Sequence, residues 1–68
     1  MPSNPDGLYE EALIMATNKN LVDVETLLAW ARESENLRER IRNIEQALGL
    51  LADVRDQLKT LDLARRGL

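Results

Sequence analysis

The sequence predicts an all-α fold in which two short helices and one long C-terminal helix form a hairpin-like arrangement that dimerises with coiled-coil-like packing. Three observations predict it. Apolar residues recur at spacings of three and four along most of the chain. Tyr9 and Trp30 are the only aromatic residues, so core volume must come from aliphatic side chains, which suit helix packing better than a small sheet. The three glycines and two prolines are scattered, so few positions force a helix to end.

Length and composition limit the classes of function. A chain of 68 residues forms one domain, residues 1–68, and at this size a folded monomer buries only about 60% of its unfolded surface. Such chains usually need a staple or a partner. There is no Cys for a disulfide and no His for general-base catalysis or metal binding. Neither a Gly-x-Ser-x-Gly elbow nor a Gly-rich phosphate loop is present, so we expect no enzyme, cofactor or metal.

The charge balance and the N-terminus bear on partners and location. The net charge of −3 and the pI of about 4.8 argue against sequence-independent nucleic-acid binding, which needs a basic surface. No apolar run approaches the roughly 18 residues of a membrane span. The first six residues lack the basic and apolar regions of a signal peptide, so we expect a cytoplasmic protein without membrane contact.

The first predicted helix covers about residues 5–17. Asn4 is suited to cap it, and Pro5 fits the first helical position, where a missing N–H costs nothing. The polar residues 17–20 include two asparagines, which favour turns and caps, and they predict a tight turn. The apolar residues predicted to share one side of this helix are Leu8, Ala12, Met15 and Ala16.

The second predicted helix covers about residues 21–33. Asn20 and Asp23 are spaced like a capping box, with Asp in place of the usual Glu or Gln. Trp30 flanks the apolar stripe, which comprises Leu21, Val24, Leu28 and Ala31.

The polar residues 32–36 leave two interpretations open: a turn near Ser34 to Asn36, or one continuous helix with a twisted apolar seam. The stripes on either side point roughly 130° apart at about 100° per residue, which favours a turn. Asn36 and Glu39 form a second capping-box match.

The long helix, about residues 36–64, carries two apolar strips. The first skips Arg55 and otherwise follows the three-and-four spacing of a coiled-coil stripe. It comprises Leu37, Ile41, Ile44, Leu48, Leu51 and Leu58. The second strip comprises Ala47, Leu50, Val54 and Leu61. Gly49 suggests a close helix approach, and the basic residues before Gly67 are a normal helix end.

One strip of the long helix can pack on the two short helices, and the other then needs a partner. We therefore expect a non-enzymatic protein–protein interaction module, acting as an adaptor, a chaperone-like assembly factor or an inhibitor. The partner is another protein, a second copy of the chain, or both. The predicted interface comprises Trp30, Leu37, Ile41, Ile44, Leu48, Leu51, Val54, Leu58 and Leu61.

The alternative is a small dimeric DNA-binding regulator with a helix-turn-helix around residues 31–40. Arg38 and Arg42 would share a face of the helix that follows the turn, while Arg40 points the other way. Glutamates interleave with all three arginines. The opposing interpretation is a solvated helix surface, on which Arg40→Glu would be nearly silent for stability.

Overall fold

The computed structural model describes the backbone of residues 5–66 and the side chains of residues 7–66. It contains helix α1, Pro5–Glu33, and helix α2, Leu37–Arg66, joined by residues 34–36. The helices run antiparallel, because contacts join both ends of the pair. Arg65 reaches Glu10 at one end (2.9 Å), and Arg40 reaches the Ala31 carbonyl at the other (2.7 Å). The predicted all-α hairpin is confirmed.

The hairpin is a single layer of helices. Its extents are 52 × 23 × 11 Å, and the smallest equals roughly one helix diameter of about 10–12 Å. The radius of gyration is 15.8 Å, whereas a compact domain of this length has about 11 Å. Each helix can therefore bury only the side that it turns toward the other.

The seam between the helices follows a seven-residue repeat. Its fully buried positions are Thr17, Val24 and Ala31 on α1, and Ala47, Val54 and Leu61 on α2. Half-buried residues alternate with them, namely Leu13, Asn20 and Leu27 on α1, and Asn43, Leu50 and Gln57 on α2. The resulting spacings of three and four keep one side of each helix facing the other along its length.

The predicted division into three helices is wrong, because α1 continues through residues 17–20. The hydroxyl of Thr17 donates a hydrogen bond to the Ile14 carbonyl (2.8 Å), and Lys19 pairs with Asp23 one turn on (3.1 Å). Thr17 and Asn20 also occupy seam positions. This polar stretch is therefore the polar part of a continuous seam, and Asn20 does not cap a helix start.

Of the two interpretations left open for residues 32–36, the structure has the turn, at residues 34–36. The side-chain oxygen of Asn36 accepts a hydrogen bond from the Glu39 N–H (3.1 Å), which caps the start of α2. The reciprocal half of the predicted capping box is replaced, because the Asn36 N–H donates to the Ser34 hydroxyl (3.2 Å) instead of to Glu39. Ser34 itself donates its N–H to the Trp30 carbonyl (2.9 Å), so the turn is bonded on both sides.

Arg40 ties the start of α2 to the end of α1. Its Nε donates to the carbonyl of Ala31 (2.7 Å), and one terminal nitrogen donates to the carbonyl of Arg32 (3.0 Å). These carbonyls belong to the last turn of α1, where carbonyls lack partners within the helix and the dipole favours a cation. Arg40 is exposed, as expected for a solvated helix surface, but it also bonds to the backbone of the other helix.

Gly49 does not mark a close helix approach. A methyl group at this position would meet no atom within 4 Å beyond the helix's own neighbouring backbone. The residue lies on the outer side of α2, two positions beyond buried Ala47. The predicted Asn4 cap and the predicted end at Gly67 lie outside the described residues.

We expect Arg40→Glu to lower the free energy of unfolding by about 1–2 kcal/mol, because it removes two charge-assisted hydrogen bonds and places an anion at the negative end of α1. The matched control is Arg42→Glu. Arg42 makes no side-chain hydrogen bond or ion pair with any other residue between positions 7 and 66. Thermal unfolding followed by circular dichroism measures both variants, and equal melting temperatures would contradict the role given to Arg40.

Candidate interaction surface

The strongest apolar stripe of α2 lies outside the seam. Ile44, Leu51 and Leu58 each follow a half-buried seam residue by one position, so each is rotated about 100° from it toward one side of the hairpin. Ile41 and Leu48 lie next to them, farther from α1, and Leu37 begins the same stripe at the turn. These six residues are all exposed on one side of α2.

Helix α1 adds a parallel row to the same side. Ile14, Leu21 and Leu28 also each follow a half-buried seam residue by one position. Because the helices are antiparallel, residues rotated in the same sense from the seam lie on the same face of the layer. We call this surface the apolar face; it comprises Ile14, Leu21, Leu28, Leu37, Ile41, Ile44, Leu48, Leu51 and Leu58.

The apolar face is large enough to matter energetically. The exposed fraction of its side chains runs from 37% at Ile14 to 70% at Leu37. Complete burial of one Leu or Ile contributes about 1.5–3 kcal/mol, so covering the exposed parts of all nine would contribute roughly 6–13 kcal/mol. Two associating proteins lose about 4–15 kcal/mol of translational and rotational freedom. The face is therefore of the right order to support association.

The opposite face of the hairpin is more polar. Trp30, Asp23 and Gln46 each precede a buried seam residue by one position, which places them on that side. Trp30 is more than half exposed there, and Asp23 is already paired with Lys19. An open depression of about 440 Å³ is lined by Asp23, Thr26, Leu27, Trp30, Gln46 and Leu50.

The structure separates the predicted interface residues into three groups. Six lie on the apolar face: Leu37, Ile41, Ile44, Leu48, Leu51 and Leu58. Val54 and Leu61 are buried against α1 within the chain, and Trp30 lies on the opposite face. Sequence reasoning did not place Ile14, Leu21 and Leu28 on this surface. Their seven-residue spacing was the available signal, and the predicted break at residues 17–20 divided it.

Adjacent residues on α2 allow the seam and the apolar face to be tested separately. Ala47 is 1% exposed in the seam, whereas Leu48 is 60% exposed on the apolar face. We expect Ala47→Asp to unfold the hairpin, because it buries a charge between the helices, and Leu48→Asp to keep the helicity of the isolated hairpin. Circular dichroism at micromolar concentration measures both. Equal loss of helicity would mean that Leu48 is as necessary to the fold as Ala47.

Between residues 7 and 66, no group of three or more acidic side chains is arranged to hold a metal ion. Neither helix, over its described length, contains a stretch apolar enough to cross a membrane. Comparison with protein-family models, curated proteins and solved structures found no match to the chain.

Proposed function

We propose that this chain is a cytoplasmic, non-enzymatic protein–protein interaction module that binds its partner through the apolar face. The observation that carries the proposal is the continuous surface of nine leucine and isoleucine side chains on one side of the hairpin. Exposed apolar patches of this kind mark interaction sites in soluble proteins.

The single-layer architecture supports the proposal. Domains are normally built from at least two packed layers, because each helix must bury its apolar stripe against something. Here the seam hides one stripe per helix, and only five apolar residues among the described side chains are fully buried. A partner on the apolar face would supply the missing second layer.

The geometry of the face suits a helical partner. The row of Ile14, Leu21 and Leu28 on α1 runs beside the row of Ile44, Leu51 and Leu58 on α2. Helices laid against these rows would contact them with their own apolar sides, as amphipathic helices do in peptide recognition. Adaptors, chaperone-like assembly factors and inhibitors all use such a contact, and the proposal covers the three roles.

The test compares assemblies formed by three tagged forms of the chain in the cells that naturally produce it. Leu48→Asp alters the apolar face, and Leu63→Asp is the matched control, because Leu63 is similarly exposed (65% against 60%) but lies on the outer side of α2, away from that face. We expect native mass spectrometry to find assemblies larger than the 7.7 kDa chain with the wild type and with Leu63→Asp, but not with Leu48→Asp.

Two results would contradict the proposed function. One is that all three forms are isolated as free chains. The other is that Leu48→Asp retains the same assemblies as the wild type. Circular dichroism on each purified form establishes that a lost assembly does not reflect a lost fold.

A further inference from the structure

We propose that the occupant of the apolar face is a second copy of this chain, stacked face to face and antiparallel to form a four-helix bundle. The turns of the two hairpins then lie at opposite ends. This inference rests on the proposed function and names its partner. It is carried by the self-complementarity of the face in one of the two possible orientations.

The apolar stripe of α2 is complementary to itself when a copy runs antiparallel to it. In a two-fold symmetric interface every contact occurs twice. If one residue of the first copy contacts another residue of the second copy, the same two residues also meet with the copies exchanged. A two-fold axis that runs across the helices, level with residues 49 and 50 of α2, places Leu48 opposite Leu51 of the second copy. The same axis places Ile41 opposite Leu58 of the second copy. The same axis crosses α1 within about residues 21–25, the stretch that the Ala31–Arg40 and Glu10–Arg65 contacts place level with residues 49 and 50 of α2.

The charges bordering the face agree with this axis. On α2, the antiparallel copy places Arg55 opposite Glu45 of the second copy, and Asp62 opposite its Arg38. Symmetry repeats each of these opposite-charge pairs once.

The charged groups are available for these contacts. The side chains of Arg38 and Glu45 belong to none of the ion pairs among residues 7–66. Arg55 and Asp62 are paired only with Asp56 and Arg66 on their own helix, at exposed positions where such pairs are weak and easily exchanged.

The other face-to-face orientation, with both turns at the same end, brings like charges together. In this orientation, α1 of each copy lies over α2 of the other copy. Where α1 lies over α2 of the copy, Glu11 comes level with Asp62 and Arg32 with Arg38. Because like charges at an interface disfavour association, the antiparallel orientation is selected.

The available area is sufficient for a stable dimer. A standard interface buries about 800 Å² on each partner. The broad side of the hairpin measures 52 by 23 Å, so an interface of this size fits within it.

The test uses the natural absence of Cys from the chain. Arg38→Cys and Asp62→Cys are prepared separately, mixed, and oxidised under mild conditions. We expect a disulfide-linked dimer in the mixture and none in either variant alone, because the antiparallel axis joins residue 38 of one copy to residue 62 of the other.

A mixture of Arg38→Cys with Leu63→Cys is the control, since residue 63 faces away from the second copy, and it should give at least tenfold less linked product. Light scattering of the wild type should give twice the mass of the 7.7 kDa chain.

Each contrary outcome has a distinct meaning. Disulfides between identical variants, or equal linkage in the control mixture, would overturn the antiparallel arrangement. A wild-type chain that stays at 7.7 kDa up to millimolar concentration would overturn the second copy as the occupant. In that case, assemblies that contain a different protein and are lost in Leu48→Asp would leave the proposed function standing. If no assembly is sensitive to Leu48→Asp, the proposed function fails as well. Circular dichroism of the cysteine variants confirms that each retains the wild-type helicity.

Discussion

The rest of the structure depends on one constraint: two helices side by side form only one layer. Each helix can hide one stripe of side chains against the other, and every further apolar residue must face solvent or another molecule. This chain has apolar residues for more than one stripe on α2, and the layer is only 11 Å deep. The exposed apolar face is therefore a direct result of the arrangement of two helices in one layer.

The seam is less apolar than the surface it leaves exposed. Small residues, Thr17, Ala31 and Ala47, occupy half of its fully buried positions, and asparagines and a glutamine occupy several half-buried ones. Small side chains allow two helix backbones to approach closely, which suits a pair held together along its whole length. The larger aliphatic side chains remain for contacts outside the chain, and this division links the fold of the hairpin to its proposed role.

The sequence allowed the helical class to be predicted, favoured a turn near residues 34–36 and revealed two apolar strips on α2, because each rests on local periodicity or capping chemistry. The predicted break at residues 17–20 was wrong because periodicity was followed through apolar residues alone, whereas Thr17 and Asn20 continue the seam as polar members. Both apolar strips of α2 could pack on α1, and the choice between them depends on how all residues of each strip fit against α1. The sequence therefore could not show that Val54 and Leu61 are buried whereas Leu48 is exposed. The bonds of Arg40 to the end of α1 depend on the geometry of the turn, which no residue pattern specifies.

The bonds at the turn also bear on the order in which the hairpin folds. The contacts of Asn36, Ser34 and Arg40 join residues no more than nine positions apart, whereas Arg65 and Glu10 are separated by 55. Closing a short loop costs less entropy than closing a long one, so the helices meet first beside the turn and align outward from it. Local contacts of this kind favour folding within microseconds to milliseconds. The end that carries Glu10 and Arg65 joins last, and it is the first part of the pair to open.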